Sequence, residues 1–475
     1  MKKIKNLTVL LIAVLLTSCS SDFLEPAPTS GVTSSTYYSS TAEVEAAIIN
    51  MYDGIQGVNS TDNDDNHGVM YEFYVTEMRS DNTRTKSGEG EAAQFDNFNV
   101  TPNNGIISDY YASFYNVIYR ANVVLDNLGV VDDATTSAAF EGEAKFVRAY
   151  AYFNLVRLFG DIPLIDRVIS PLETEVQFTR VPTTSVYALI ESDLTAAIDV
   201  LNNEYKNRAS KAAAQALLAK VYLTQQKNYT EAQVLCEAVM SSGFSLQDNF
   251  NDVFYNENNS EIIFAIGYVP TLSSDSQNFS AEWMNAVGRT SGVNYVTTEA
   301  RAALDAAGGD RTPYSYRQDL SQLSQYQVAK YLPNGEDGGA NGKTFVSDAT
   351  LAGNDWIVLR YADVLLMHVE AIMGASTETN VGAALASFQE VRNRAGLTTP
   401  VTNITKDELL LERRVELAFE NHRLFDLIRF GRAETVLSSY SADNGYSYSS
   451  TDLLLPIPQN EINLSNGVMT QNPGY

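Results

Sequence analysis

The sequence predicts a mostly α-helical protein, with helix pairs stacked side by side and a long irregular, loop-rich region packed against them. Three observations predict it. Residues 210–244 (SKAAAQALLAKVYLTQQKNYTEAQVLCEAVMSSGF) read as two helices joined by a short turn at Lys227-Asn228, with Ala216, Ala219 and Ala232 small where the helices touch and Leu218, Tyr222, Tyr229 and Leu235 supplying bulk. A second copy of that pattern runs over 361–396, with Gly374 and Gly396 as stops. Between the copies, residues 244–355 have few long amphipathic runs and many Asn, Ser, Gly, Tyr and Asp residues, so irregular loops interrupt a helical body.

The alternation of small and large side chains over about 34 residues is similar to a tetratricopeptide repeat, whose helix pairs cannot bury their faces alone and must stack. Further helices extend the stack. One starts near Thr41, a possible N-cap; others span 106–128, 138–159 and 184–202. In 138–159, Phe140, Ala144, Val147, Ala151, Leu155 and Leu158 recur at helical steps, while Phe146, Tyr150 and Phe153 widen the apolar face. That helix is therefore covered on more than one side, and Gly160 and Pro163 end it. Residues 71–79 alternate weakly and fit a short strand or helix; 80–104 read as a long exposed loop. Residues 261–269 (EIIFAIGYV) read as a strand, and 335–342 (GEDGGANG) are too glycine-rich for regular structure. Thr405 and Glu408 have capping-box spacing, opening a charged helix that runs through to Gly431. In it Glu420–Arg423 and Asp426–Arg429 are spaced to pair on one face. Pro456 and Pro458 force the tail into an extended path across the body.

The first 21 residues (MKKIKNLTVLLIAVLLTSCSS) carry three lysines, an apolar run and then small residues before Cys19, the order of a secretory signal. The run is about half the ~20 residues that span a bilayer. A cysteine directly after the small residues resembles the bacterial lipoprotein box, which implies cleavage before Cys19 and its acylation; more than one acyl chain makes such an anchor stable. Residues 20–35, rich in Ser, Thr and Pro, read as a tether, reaching roughly 50 Å when extended at ~3.3 Å per residue. The division expected is a signal over 1–18, a lipidated tether over 19–36, an N-terminal helical region over 37–243 and a C-terminal region over 244–475 with its loop-rich insertion at 244–355.

At 44% hydrophobic and 19% charged, the chain is globular in type. Its net charge of −26 becomes more negative without the lysine-bearing signal. That excludes nucleic acid and anionic lipid surfaces as partners, since both require basic patches. With Cys19 acylated, Cys236 has no intramolecular disulfide partner, so stability comes from packing.

Several segments, in order, carry a family resemblance: EAKFVRAYAYFNLVRLFGDIPL (143–164), VLRYADVLLMHVEA (358–371), VRNRAGL (391–397), ERRVELAFENHRLFDLIRFG (412–431), LPIPQNEI (455–462) and TQNPGY (470–475). Behind a lipoprotein signal, they make the whole chain resemble the SusD/RagB lipoproteins of the Bacteroidetes outer membrane. The resemblance implies a right-handed stack of tetratricopeptide-like helix pairs with an irregular region against it. It also implies a cell-surface, lipid-anchored protein that captures a nutrient, usually a glycan. Such proteins cap a SusC-like TonB-dependent channel for import. Cys19 carries over as the lipidated residue. The matched motifs lie mostly in helices and the tail, so no ligand residue carries over by motif.

Sugar binding needs flat aromatic faces and planar hydrogen-bonding groups at their rim. Trp283, with Phe279, Asn285, Arg289 and Tyr295, lies in one long loop; Phe95 and Phe98, with Arg79, Asp81, Asn82 and Arg84, lie in another. The two loops are expected to meet and form the site. Trp356 precedes a helix and reads as packing. No cofactor is expected. Asp62-Asn63-Asp64-Asp65-Asn66 invites calcium, but the EF-hand positions for Gly and Glu hold His67 and Phe73. What remains is a looser calcium site or, more simply, a solvated acidic loop. An enzyme is not expected: His67, His368 and His422 are far apart, and neither His-Glu-x-x-His nor Gly-x-Ser-x-Gly occurs. A peptide-binding lid of the same type, or a secreted glycoside hydrolase built on a carboxylate pair, are the alternatives.

Overall fold

The computed structural model describes residues 37–57, 67–86, 88–270, 272, 275–283, 294–319, 322–332 and 351–475. The signal with Cys19, the tether, the acidic loop 62–66, Asn285, Arg289 and the glycine-rich stretch 335–342 lie outside the described residues.

Eight helices form the stack: α1 (Thr41–Gln56), α2 (Gly105–Asp126), α3 (Ala134–Phe159), α4 (Thr183–Val200), α5 (Lys211–Thr224), α6 (Tyr229–Met240), α7 (Tyr361–Met373) and α8 (Gly382–Arg394). Each packs on the next in that order. Helices α6 and α7 therefore meet although 120 residues of loop-rich chain separate them. Asn104 caps α2 through the amides of Ile106 and Ile107, Asp133 caps α3 through Thr136, and Ser210 caps α5 through Ala213. Gly160, at φ 72°, ends α3 in a conformation that favours glycine. In α5, Ala212, Ala213, Ala214, Ala216 and Ala219 are fully buried, so neighbouring backbones approach closely. The turn after α5 has left-handed Gln226 and Asn228, consistent with the expected break there. Cys236, on α6, is buried and its thiol is free.

Beyond the stack come α9 (Lys406–Glu416), α10 (Arg423–Arg429) and α11 (Ala433–Asn444). The capping box at Thr405 and Glu408 opens α9 as expected. The single charged helix expected up to Gly431 is instead broken between α9 and α10, where Phe419 and Asn421 adopt left-handed φ of 68° and 62°. For a non-glycine residue that conformation costs about 1–2 kcal/mol. The ionic contacts described below offset it. The break turns Glu416 and Glu420 to the same arginine, and Glu420 does not pair with Arg423. Asp426 and Arg429 do pair, at 2.7 Å, in a buried setting.

Besides four two-residue strands, the described residues form β1 (Thr83–Thr85), β2 (Ile262–Ile266), β3 (Asn294–Val296), β4 (Tyr316–Gln318), β5 (Tyr326–Val328) and β6 (Trp356–Arg360). They pair antiparallel as β1–β3, β2–β6 and β4–β5. The expected strand at 261–269 is β2. Residues 71–79 resolve into helix His67–Val75 and a turn of 3-10 helix. The stretch from Ser80 is not the exposed loop expected. Ser80, Asp81, Asn82, Thr83 and Thr85 are buried, because the segment threads between the stack and the charged helices.

The matched motifs build a buried ionic core. Arg360, at the end of β6, donates to Glu261 (2.8 Å), Glu416 (2.6 Å) and Glu420 (2.6 Å). Lys330 joins Glu420 at 2.6 Å, Arg394 joins Glu261 at 3.1 Å and also Glu416, and Arg311 joins Glu412 at 2.6 Å and Glu416 at 2.8 Å. Four cations thus face four carboxylates, and the desolvation of each is offset by several charge-assisted bonds. Burial alone would raise the Glu416 carboxyl, but Arg394, Arg360 and Arg311 hold it well below the usual range. The tail lies across the body as expected: the Leu455 amide donates to the Leu158 carbonyl at 2.7 Å, and the Asn472 side chain to the Phe159 carbonyl at 2.9 Å.

Candidate functional site

The two loops come together through strand pairing. Arg84 on β1 lies opposite Tyr295 on β3. Its guanidinium sits 6.0 Å from the Tyr295 ring centroid and 5.3 Å from that of Tyr446, a cation held over two aromatic faces. It donates to the Asn444 side-chain oxygen and the Tyr446 hydroxyl. Asp96 stands 3.8 Å behind it, 5% exposed against 28% for Arg84. Tyr440 and Tyr446 donate their hydroxyls to the two Asp96 oxygens at 3.3 Å. Burial pushes the Asp96 carboxyl up to about 6, against the pull of Arg84. The rings of Tyr295, Tyr446 and Tyr448 are half-buried, with an edge or face left to solvent.

A second aromatic–guanidinium pair is close by. Strand β5 runs beside β3, and its Tyr326 stacks under Arg301 at 3.9 Å. Tyr316, on β4, meets Tyr326 edge-on at 5.8 Å and donates to Asp305 at 2.6 Å. Flat faces with planar donors at their rim suit the apolar face and the hydroxyls of a sugar ring.

Other residues expected in the site turn inward. Trp283 is 1% exposed, packed against Phe73 (5.0 Å), Phe279 (6.0 Å) and Phe419 (6.5 Å). It plugs the core under the loop and offers no face to a ligand. Phe95, Phe98 and Phe279 are buried too. Asp81 accepts from Arg423 at 2.7 Å and Arg414 at 2.9 Å; burial alone would raise it, but the two guanidinia bring it down to about 2. Asn82 is spent on Glu77 (2.8 Å) and Arg414 (3.0 Å). Arg79 donates to the Val75 and Asp452 carbonyls, pinning the tail. These residues position the strand that carries Arg84 and do not line a surface. Trp356 is core packing, as expected, against Tyr331 and Phe279. Missed in the sequence were Asn444 at the end of α11, Tyr446 and Tyr448 just beyond it, and the Arg301–Tyr326–Tyr316 set. The alternating Tyr446-Ser447-Tyr448 is the signal that could have found the first group.

One arrangement imitates hydrolase chemistry. Ser387 Oγ lies 2.9 Å from His368 Nδ1, and Glu237 stands 3.4 Å from Nε2. The order is that of a Ser-His-acid relay. Ser387 is 2% exposed, however, wedged between α7 and α8, so a substrate carbonyl has no approach to its hydroxyl. Among the described residues no cluster of three or more His, Cys, Asp or Glu side chains could hold a metal.

Stacked helix pairs that present half-exposed tyrosines and arginine on inserted loops define a helical-repeat binding protein. Within that class the chain belongs to the SusD family. Residues 324–475 match the family model described as "SusD family", and residues 22–223 match "Starch-binding associating with outer membrane". SusD-like protein P2 of Formosa agariphila is 28% identical over 100% of both chains. Starch-binding protein SusD of Bacteroides thetaiotaomicron is 26% identical over 75% of this chain and 76% of its own. Among solved structures, a laminarin-binding SusD-like protein is 27% identical with a TM-score of 0.75, covering 92% of this chain and 100% of that one.

Proposed function

We propose that this protein is a cell-surface glycan-binding lipoprotein that captures a saccharide on the Arg84–Tyr295–Tyr446 face. The observation that carries the reading is the pair of half-exposed tyrosine rings held about one arginine, where the two long loops pair as strands. The binding of laminarin by one relative and of starch by another supports the ligand class. Cys19 anchors the chain to the outer membrane through lipid, with 19–36 as leash. The body caps a SusC-like TonB-dependent channel and delivers the saccharide for import. The helices act as scaffold and the loops as ligand face, without catalysis.

Affinity gel electrophoresis with laminarin, starch and xyloglucan tests the ligand class. One of these is expected to retard the native chain and to lose that effect with Arg84→Ala. A glycan that retards both chains equally overturns the placement of the site. For the anchor, Cys19→Ala is expected to release the protein from membranes while glycan binding persists; retention on membranes lacking the channel overturns it.

A further inference from the structure

A cavity lies away from the Arg84 face. It opens between α1 and the end of β2, with a volume of about 340 Å³, within the range of small-ligand sites. Ile55 and Phe264 form its apolar floor and the Tyr52 ring one wall, with Ile49 standing 63% exposed at the mouth. None of Arg84, Asp96, Tyr295, Asn444 or Tyr446 lines it.

The polar groups of this cavity are held ready. Arg208 is clamped by buried Glu143, Nε to Oε2 at 2.8 Å and Nη2 to Oε1 at 2.6 Å. Tyr52 donates to the same carboxylate at 2.7 Å and accepts from the Ala209 amide at 2.8 Å, which fixes the clamp from the other side. The remaining guanidinium nitrogen, Nη1, has no hydrogen-bond partner among the described residues. Gln56 is oriented by the hydrogen bond that its side-chain Nε2 donates to the Gly267 carbonyl, leaving its side-chain oxygen as an acceptor. The exposed Asn207 side chain adds a donor and an acceptor at the rim. Glu143 neutralises Arg208, Arg120 pairs with Asp53 at 2.8 Å, and Asp275 also borders the cavity, so the lining carries no net positive charge to attract anions. Fixed donors and acceptors around an apolar floor, with no net positive charge, match a neutral polyol ring.

We propose that this cavity is a second saccharide site, taking about one or two rings of a neutral glycan independently of the Arg84 face. Its ligand class rests on the glycan-binding reading above; its existence as a separate site does not.

Hydrogen–deuterium exchange of the full chain carrying Cys19→Ala tests it, with laminarihexaose, maltoheptaose and a xyloglucan oligosaccharide as separate probes. With at least one probe, slowed exchange is expected both in residues 49–56 and 263–268 and in strands β1 and β3. Arg84→Ala is expected to remove the second effect alone. Asn207→Ala is expected to weaken the first at least five-fold and Asn207→Trp, which fills the mouth, to abolish it. Both leave β1 and β3 protected. Protection confined to β1 and β3 overturns the second site and leaves the proposed function standing. Protection confined to 49–56 and 263–268 supports the cavity and overturns the Arg84 assignment. No protection with any of the three probes overturns both.

Discussion

Arg360 and Arg84 are both arginines on short strands facing carboxylates, and they do opposite work. Arg360 is buried among Glu261, Glu416 and Glu420, with its donors spent on protein. Arg84 has a single carboxylate at 3.8 Å, and its flat face lies over two tyrosine rings near solvent. One guanidinium joins the loop-rich region to the charged helices; the other is kept available. A saturated arginine fixes architecture, and one braced from behind presents a surface.

The comparison breaks first at Arg360. Arg360→Ala leaves three carboxylates buried with less countercharge and is expected to destabilise the fold by about 3–5 kcal/mol, read as a large drop in the chemical-denaturation midpoint. A change under about 1 kcal/mol would show that the core is not held by charge. Arg84→Ala is expected to leave that midpoint nearly unchanged while weakening glycan binding roughly ten-fold, or about 1.4 kcal/mol. Calorimetric titration beside the denaturation curve separates the two effects.

A pH series sharpens the contrast. Burial pushes Glu72, Glu77 and Asp355 up to about 7. Between their ordinary values near 4 and about pH 7 the folded chain holds protons that the unfolded chain has released, so their stabilising contribution is lost as pH rises through 7. Asp81 and Glu416 are shifted down, and their contribution is lost as pH falls below about 4. Thermal stability is expected to peak near pH 4–5 and to fall on both sides; Glu77→Gln should flatten the fall between about pH 5 and 7. Asp96, at about 6, acts at the ligand face: its protonation releases Arg84 from behind. Glycan affinity should step near pH 6, and Asp96→Asn should remove the step. The smallest effect is at a helix end, where Thr405→Ala is expected to cost about 1 kcal/mol with no change in binding.

The helical stack was legible because its cause is local. Periodic apolar positions, buried alanines in α5 and caps such as Thr405 act within a few residues of themselves. The break between α9 and α10 was hidden because Leu417 to His422 look helical on their own. Arg360, remote in sequence, bonds to both Glu416 and Glu420 across the left-handed turn. The site was half legible for the same reason. Arg84 and Tyr295 stood out in their loops, but Tyr446 reaches Arg84 from 362 residues further along. Trp283 illustrates the converse: chemistry alone suggested a sugar platform, while Phe73 and Phe419 claim its faces from elsewhere in the chain.

Buried Cys236 offers a clock for the stack. Burial pushes its thiol far above the ordinary range, and it sits on α6, between α5 and α7. With Cys19 acylated or replaced, it is the one thiol in the chain. A reagent that modifies only exposed thiolates must wait for α6 to part from its neighbours, so the labelling rate counts openings of the body itself. Saccharide or channel partner that slows the count has tightened the scaffold, and one that leaves it unchanged has bound to a frame already rigid.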